Sequence, residues 1–229
     1  AAELGVAHVA IEVPLMDAPD FVANPRERCY TCKVMVLDGV ARVAAERGMA
    51  VVLDGANRDD LGDERPGMRA AAEHGVRHPL IEAGLGKPEV RRLARALDLG
   101  VWDAPSQACL ASRIPFGERI SEEALRRVSA AEKALRELGF GPCRVRAHGP
   151  LARIEVPARE MGRAAGAARD KIARRLRALG FTWVTVDLVG LRTGSMNEAS
   201  REARHDAAPE VSAGEAAAHV GGGGSIAGG

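Results

Sequence analysis

Aromatic residues are scarce in this chain: one Tyr, two Trp and four Phe among 229 residues. Lysine is rarer than arginine by a wide margin, with Lys33, Lys87, Lys133 and Lys171 its whole complement. The formal net charge is +1. Near-neutral charge without aromatic studding argues against a nucleic-acid surface. No apolar run approaches the roughly 20 residues that cross a bilayer, and no signal-peptide pattern opens the chain. Cysteine is also sparing, at four residues. Two of these form a Cys-x-x-Cys pair, which suits a cytosolic metal or redox site better than a secreted disulfide framework. The expectation is a cytoplasmic protein with neither a membrane nor a nucleic-acid partner.

What is present belongs to a globular protein, with 46% hydrophobic and 28% charged residues, and its length allows one substantial core or two modest ones. Ala1–Leu4 reads as the last turn of a helix stopped by Gly5, and Val6–Pro14 as a strand. With no initiator Met and no strand ahead of that helix end, the simplest account is that an upstream strand, loop and helix are missing. Lys33–Arg47 reads as a helix ending at Gly48, followed by the apolar run Met49–Asp54, a buried parallel strand by pattern. Helices over Pro66–His74 and Pro88–Leu97 follow. Strands alternating with helices over 1–113 predict an α/β, Rossmann-like parallel sheet.

After Gly117 the rhythm changes. Ser121 caps a helix closed by Gly139. Strands at Arg144–His148 and Ala152–Val156 flank a Gly149-Pro150 turn, a helix spans about Arg159–Leu179, and Thr182–Leu188 reads as a last strand. This predicts a small α+β domain over about 118–200. Residues 201–229, with the run Gly221–Gly224, have flexible-linker composition and are expected to be disordered.

Several residues carry candidate chemistry. Cys109 follows a Pro105-Ser106 turn and has Arg113 four positions on; a nearby cation favours the thiolate, which is the nucleophile and metal ligand. Cys29 and Cys32 flank Tyr30-Thr31 at a spacing that lets both sulfurs face one metal centre. With Cys109 they make three thiolates, one short of the usual four for an iron–sulfur cluster; two inert buried thiols are the alternative. Cys143 reads as a small core residue. Asp54-Gly55-Ala56-Asn57 lies beyond the end of an apolar strand, where open α/β sheets bind ligands. It reads either as a nucleotide and Mg2+ loop or as a solvated turn. Arg144 and Arg146 share one strand face, Glu155 can orient a guanidinium, and Leu191–Asn197, with Arg192, resembles an anion-binding loop. On the residues alone these read first as a charged, solvated sheet face of an arginine-rich protein, with a phosphate site as the alternative.

Longer motifs carry a resemblance. Arg28–Lys33, Asp54–Asn57 with Asp59–Asp63 and Arg65–Arg69, Ala108–Pro115 and Gly190–Asn197 resemble the LarE-type ATP-dependent sulfur transferases over about residues 1–200. The resemblance implies a PP-loop ATP pyrophosphatase domain (adenine nucleotide alpha hydrolase-like) over 1–117, lacking its first strand and loop. A sulfur-transfer and substrate-phosphate domain over 118–200 would follow. It implies that ATP with Mg2+ activates a carboxylate of a pyridinium dicarboxylate mononucleotide as an acyl-adenylate. A thiolate then attacks, and the products are the thiocarboxylates of the nickel-pincer cofactor of lactate racemase.

Cys109 falls at the family's sulfur-bearing cysteine, which is consumed to dehydroalanine in members with one such cysteine. Cys29 and Cys32 place the chain with the three-cysteine members, for which a [4Fe-4S] cluster carrying the sulfur is implied. Asp54, Gly55 and Asn57 would bind nucleotide; Arg113, Arg144, Arg146, Glu155 and Arg192 would bind substrate and its phosphate. A homo-oligomer is also implied. The family's Ser-Gly-Gly-x-Asp-Ser loop is absent from these 229 residues, so adenylation by this chain alone is expected to fail. Two other readings compete. One is a degenerate, non-catalytic iron–sulfur or phosphate-binding module; the other is a different PP-loop enzyme, a thiolase or an amidotransferase-type synthetase.

Overall fold

The sheet of this protein is small and lies late in the chain. In the computed structural model, which describes residues 1–62, 66–104 and 108–192, β1 (Arg144–His148) and β2 (Leu151–Glu155) form an antiparallel hairpin. β3 (Trp183–Val186) adds parallel to β2, giving the order β1-β2-β3. The crossover from β2 to β3 contains α7 (Ala158–Ala165) and α8 (Arg169–Ala178). Sequence periodicity runs these two helices together, but the chain breaks at Gly166. A Cβ there would stand 2.8 Å from the Gly162 carbonyl oxygen, so only glycine fits the bend.

The register separates the two sheet faces. Val145, Ala147, Ala152 and Ile154 point one way and are buried against α6 (Glu122–Glu137) and α8, with Leu135, Phe140 and Leu176 filling the core. Ser121 caps α6 by accepting from the Ala124 amide at 3.1 Å, and Glu122 and Glu123 complement the dipole of its first turn. Arg144, Arg146, Arg153 and Glu155 project to the opposite face, where Arg144 pairs with Glu155 and Arg146 with Arg153 in the register.

The N-terminal part is mainly helical: α1 (Pro19–Val22), α2 (Arg28–Glu46), α3 (Pro66–Glu73), α4 (Pro79–Glu82) and α5 (Lys87–Ala96). Leu37, Ala71 and Val76 pack α2 on α3 with Val52 alongside. The expected strands over 6–14 and 49–54 are not formed as ladders. Among the described residues of this N-terminal part, parallel pairing is limited to one bridge, Leu53 to Arg77, while Val6, Val9, Met49, Val51 and Leu53 stay exposed. A strand has no internal hydrogen-bond partners, so an apolar run stays extended coil until a neighbouring strand pairs with it. The α/β class holds; the parallel sheet is not assembled among the described residues. Among those residues, no helix is long and apolar enough to cross a membrane. The segments Asp63–Arg65, Pro105–Gln107 and Thr193–Gly229, which include the Leu191–Asn197 loop beyond Arg192 and the glycine-rich tail, lie outside the described residues.

Candidate functional site

Cys109 is exposed and opens a single 3-10 turn, Leu110–Arg113. Its carbonyl oxygen accepts from the Ser112 amide at 3.0 Å and from Ser112 Oγ at 2.7 Å. Arg113 turns back on the same segment, donating from Nη1 to the carbonyls of Ala108 (3.2 Å) and Cys109 (3.4 Å). The other edge of its guanidinium meets Glu132 of α6, Nε to Oε1 at 2.7 Å and Nη2 to Oε2 at 3.3 Å. Glu132 Oε1 also accepts from the Val145 amide at 3.2 Å, tying the turn to β1.

The polar face of the sheet holds the turn from below. Arg146 donates Nη1 to the Ser112 carbonyl at 2.8 Å and pairs two-pronged with Glu155, both contacts at 3.0 Å. Arg113, Glu132, Arg146 and Glu155 are all buried. Such bidentate, charge-assisted pairs combine strength with directionality. Two of the arginines expected to contact substrate therefore have their guanidiniums engaged in the support of the cysteine turn.

Cys29 and Cys32 lie in the first turns of α2, the former exposed and the latter half-buried. Cys32 packs against a small core of Phe21, Val22, Ala111 and Ile120, a cluster that includes one residue of the Cys109 turn. Arg28 is buried, hydrogen-bonds Asn24 Oδ1 and stacks over the Phe116 ring at 4.7 Å. Burial lowers its pKa, while Cys29, Cys109 and Cys32 oppose that shift. Burial, then Cys109 and Cys29, push the Cys32 thiol up; Lys33 and Arg28 act against them. The three thiols thus share one electrostatic neighbourhood. Among the described residues, however, no three His, Cys, Asp or Glu side chains stand close enough together to hold a metal ion.

Asp54 lies one residue past the Leu53 bridge. Its Oδ2 receives Lys33 Nζ at 3.0 Å, and its Oδ1 meets His78 Nδ1 at 2.6 Å and the Ala56 amide at 3.0 Å. Burial would raise its pKa, but the amide, His78 and Lys33 together hold it below the ordinary carboxylate value. Lys33 follows Cys32 directly, so this carboxylate joins the expected nucleotide loop to the cysteine helix. Gly55 leaves open space where a Cβ would stand. The Asn57 side chain accepts from the Asp59 amide at 3.1 Å and its own amide donates to Asp60 Oδ2 at 2.9 Å, which closes the loop on itself.

At the far end of the polar sheet face, Arg144 Nη1 donates to the Arg192 carbonyl at 2.9 Å, and Arg192 Nη1 meets Asp187 Oδ1 at 3.1 Å. Burial and the neighbouring Arg146 and Arg113 lower the Arg144 pKa. Glu155 and Glu132 oppose that shift. Asn24, Glu132 and His78 were not singled out by sequence reasoning. Glu132 did leave a signal, since it stands four positions after Val128 and three before Leu135, on the apolar face of its helix.

No protein-family model matches the chain. It is 42% identical over 195 residues to the uncharacterised protein slr1717 of Synechocystis sp., a match covering 85% of this chain and 73% of that protein. It is 40% identical over 181 residues to the pyridinium-3,5-bisthiocarboxylic acid mononucleotide synthase of Lactiplantibacillus plantarum, covering 79% of this chain and 65% of that one. The chain belongs to the LarE-type sulfur transferase family. A third relative of this LarE-type chain, the uncharacterised protein MJ0830 of Methanocaldococcus jannaschii, is 31% identical over 167 residues, covering 73% of this chain. The LarE-type chain spans 65% of the length of the Lactiplantibacillus and Methanocaldococcus proteins.

Proposed function

We propose that this chain is the sulfur-transfer portion of an ATP-dependent enzyme that converts the carboxylates of a pyridinium dicarboxylate mononucleotide to thiocarboxylates. The observation that carries this reading is an exposed Cys109 on a braced turn, in a chain 40% identical to a pyridinium-3,5-bisthiocarboxylic acid mononucleotide synthase. A carboxylate is a poor electrophile. Attack of its oxygen on the α-phosphorus of ATP releases pyrophosphate and forms an acyl-adenylate, from which AMP can leave. The Cys109 thiolate then attacks the acyl carbon and AMP departs. Loss of the Cys109 α-proton and cleavage of its Cβ–Sγ bond leave dehydroalanine on the protein and the sulfur on the substrate.

In this reading residues 1–117 are the PP-loop pyrophosphatase part, with Asp54, Gly55 and Asn57 toward ATP and Mg2+, and residues 118–200 receive the substrate. Among the expected phosphate ligands, Arg144 and Arg192 are only partly buried, which supports assigning them to the phosphate. Arg113, Arg146 and Glu155 support the turn as well as framing its positive side. The reading includes a homo-oligomeric, cytoplasmic enzyme.

A second route is favoured by the shared neighbourhood of Cys29, Cys32 and Cys109 around Arg28. Three thiolates are the right kind of donor for a [4Fe-4S] cluster with one open iron, which when bound would carry a transferable sulfur. Among the described residues, Cys29, Cys32 and Cys109 do not stand together as a ligating group.

The test supplies ATP, Mg2+ and the dicarboxylate mononucleotide, and follows pyrophosphate, thiocarboxylate and the mass of the Cys109 peptide. These 229 residues, lacking the Ser-Gly-Gly-x-Asp-Ser loop, should release little pyrophosphate alone, whereas the protein with that loop restored should form thiocarboxylate. Loss of the elements of hydrogen sulfide from the Cys109 peptide identifies the sacrificial route. Iron and sulfide in anaerobically purified protein, with Cys109 intact after turnover, identify the cluster route. Absence of thiocarboxylate from the loop-restored protein would reject both.

A further inference from the structure

We infer that Asn24 and Arg28 form a positioning latch that sets the Cys109 turn against the Cys29-Cys32 helix. The inference rests on the sulfur-transfer reading for its purpose, but the latch is defined by geometry alone.

Asn24 is completely buried and takes a left-handed backbone conformation with φ of 58°, which among non-glycine residues asparagine tolerates best. From there its side-chain amide reaches the loop that follows the Cys109 turn, donating to the carbonyls of Pro115 at 2.6 Å and Glu118 at 2.9 Å, with Ile114 at 3.4 Å. Its own carbonyl accepts from Gly117 at 3.0 Å, and the Ile120 amide donates to the Val22 carbonyl at 2.8 Å. These contacts bridge about ninety positions of sequence, from 24 to 114–118.

The remaining Asn24 acceptor, Oδ1, receives the Arg28 guanidinium, whose Cζ lies over the Phe116 ring of the same loop. Arg28 is the first residue of α2, and Cys29 is the next. One buried asparagine therefore grips the loop with its donors and the cysteine helix with its acceptor. The small core that Cys32 shares with Ala111 closes the gap between them. A solvated ion pair would not need such depth. The burial of both groups makes the relative placement of the two segments depend on every bond being made.

The consequence is specific: removing the Asn24 amide should free the Cys109 turn from the helix without unfolding either. Asn24→Gly suits the test because glycine keeps the left-handed backbone and deletes only the side-chain bonds. The measurement uses dibromobimane, which bridges two thiols within reach, followed by peptide mass spectrometry to assign each bridge. The protein as it stands should give Cys109 bridges to Cys29 or Cys32 alongside the Cys29–Cys32 bridge. In the variant, the Cys109 bridges should fall about tenfold relative to the Cys29–Cys32 bridge, the scale of two buried hydrogen bonds lost.

A residue that only stabilises the fold would lower the melting temperature and leave this ratio unchanged well below melting. If Asn24→Gly does not fold, Asn24→Asp, which keeps the acceptor for Arg28 but loses the two donors, reads the same ratio. An unchanged ratio in a folded variant, or no Cys109 bridge in the unsubstituted protein, overturns the latch. Neither outcome touches Cys109 as a sacrificial sulfur source, and failure to form thiocarboxylate would leave the bridge ratio standing.

Discussion

Arg113 and Glu132 lock into each other through two hydrogen bonds, with both side chains about 6% exposed. The pair lies directly behind the candidate sulfur-bearing residue. Breaking a buried pair from one side strands a charge in low dielectric, at a cost of about 3–5 kcal/mol. Glu132→Ala should therefore destabilise the protein by about that amount in urea denaturation. The double substitution Arg113→Met with Glu132→Leu should recover part of the loss, because it strands no charge, although the Val145 amide and the Ala108 and Cys109 carbonyls lose their partners. A loss below about 1 kcal/mol in Glu132→Ala would show that the pair is solvated in solution.

Arg144 and Arg146 stand two residues apart on one strand face and should behave differently. Arg146 is spent on Glu155 and on the Ser112 carbonyl, so Arg146→Ala should reduce stability by several kcal/mol, about 3–5 by the same reasoning. Arg144 is only partly buried, and its side chain donates to the Arg192 carbonyl. Arg144→Ala should weaken binding of the proposed mononucleotide substrate, measured by calorimetry, by about tenfold, equivalent to about 1.4 kcal/mol. Its melting temperature should move little. The reverse pattern would assign Arg146 to the substrate and Arg144 to the scaffold.

These two pairs show how far the sequence could be read. The parity of Arg144 and Arg146, and the pairing strand that brings Glu155 to them, followed from strand alternation and a Gly-Pro turn, both local signals. Glu132 depends on a tertiary choice, that a charge on the apolar side of α6 is matched by an arginine nineteen residues earlier. Periodicity marks such a position as odd but does not say what answers it. Asn24 is harder still, since its side-chain amide donates to backbone carbonyls about ninety residues away, and backbone carbonyls have no residue type. The strands over 6–14 and 49–54 were legible as patterns and absent as ladders, because the pattern records what a segment would bury and not whether its partner is present.

Thiol accessibility separates the four cysteines. Cys29 and Cys109 are exposed, whereas Cys143 is buried with its Sγ toward the Glu132 carbonyl, and burial with the Glu132 charge pushes its pKa up to about 11. Iodoacetamide at neutral pH should modify Cys29 and Cys109 and leave Cys143 intact until the protein is denatured. A thiol with a raised folded-state pKa favours the protonated form, so its contribution to stability is present below the unfolded value of about 9 and is lost as pH rises toward about 11. Urea midpoints should therefore fall over that window, and Cys143→Ala should flatten this alkaline limb. An alkaline limb unchanged in Cys143→Ala would place its origin elsewhere.

Asp54 makes the opposite prediction at the acid end. Despite the opposing effect of burial, the Ala56 amide, His78 and Lys33 hold its pKa below the ordinary 3.8. A carboxyl whose folded pKa lies below its unfolded value binds protons more readily when unfolded. Its stabilising contribution is therefore full above the unfolded pKa and disappears as pH falls through the folded one. Asp54→Asn keeps the shape but cannot answer Lys33 with charge, so it should be less stable than the parent at neutral pH. The difference should shrink as both proteins are titrated into acid, where the parent's carboxyl is protonated as well. The same substitution releases Lys33 from Asp54 Oδ2 beside the cysteine helix. Hydrogen exchange should therefore rise in the 54–57 loop and in the first turns of α2, and not in α6. Exchange confined to the loop would mean that the carboxylate orders its own turn and does not link it to the cysteines.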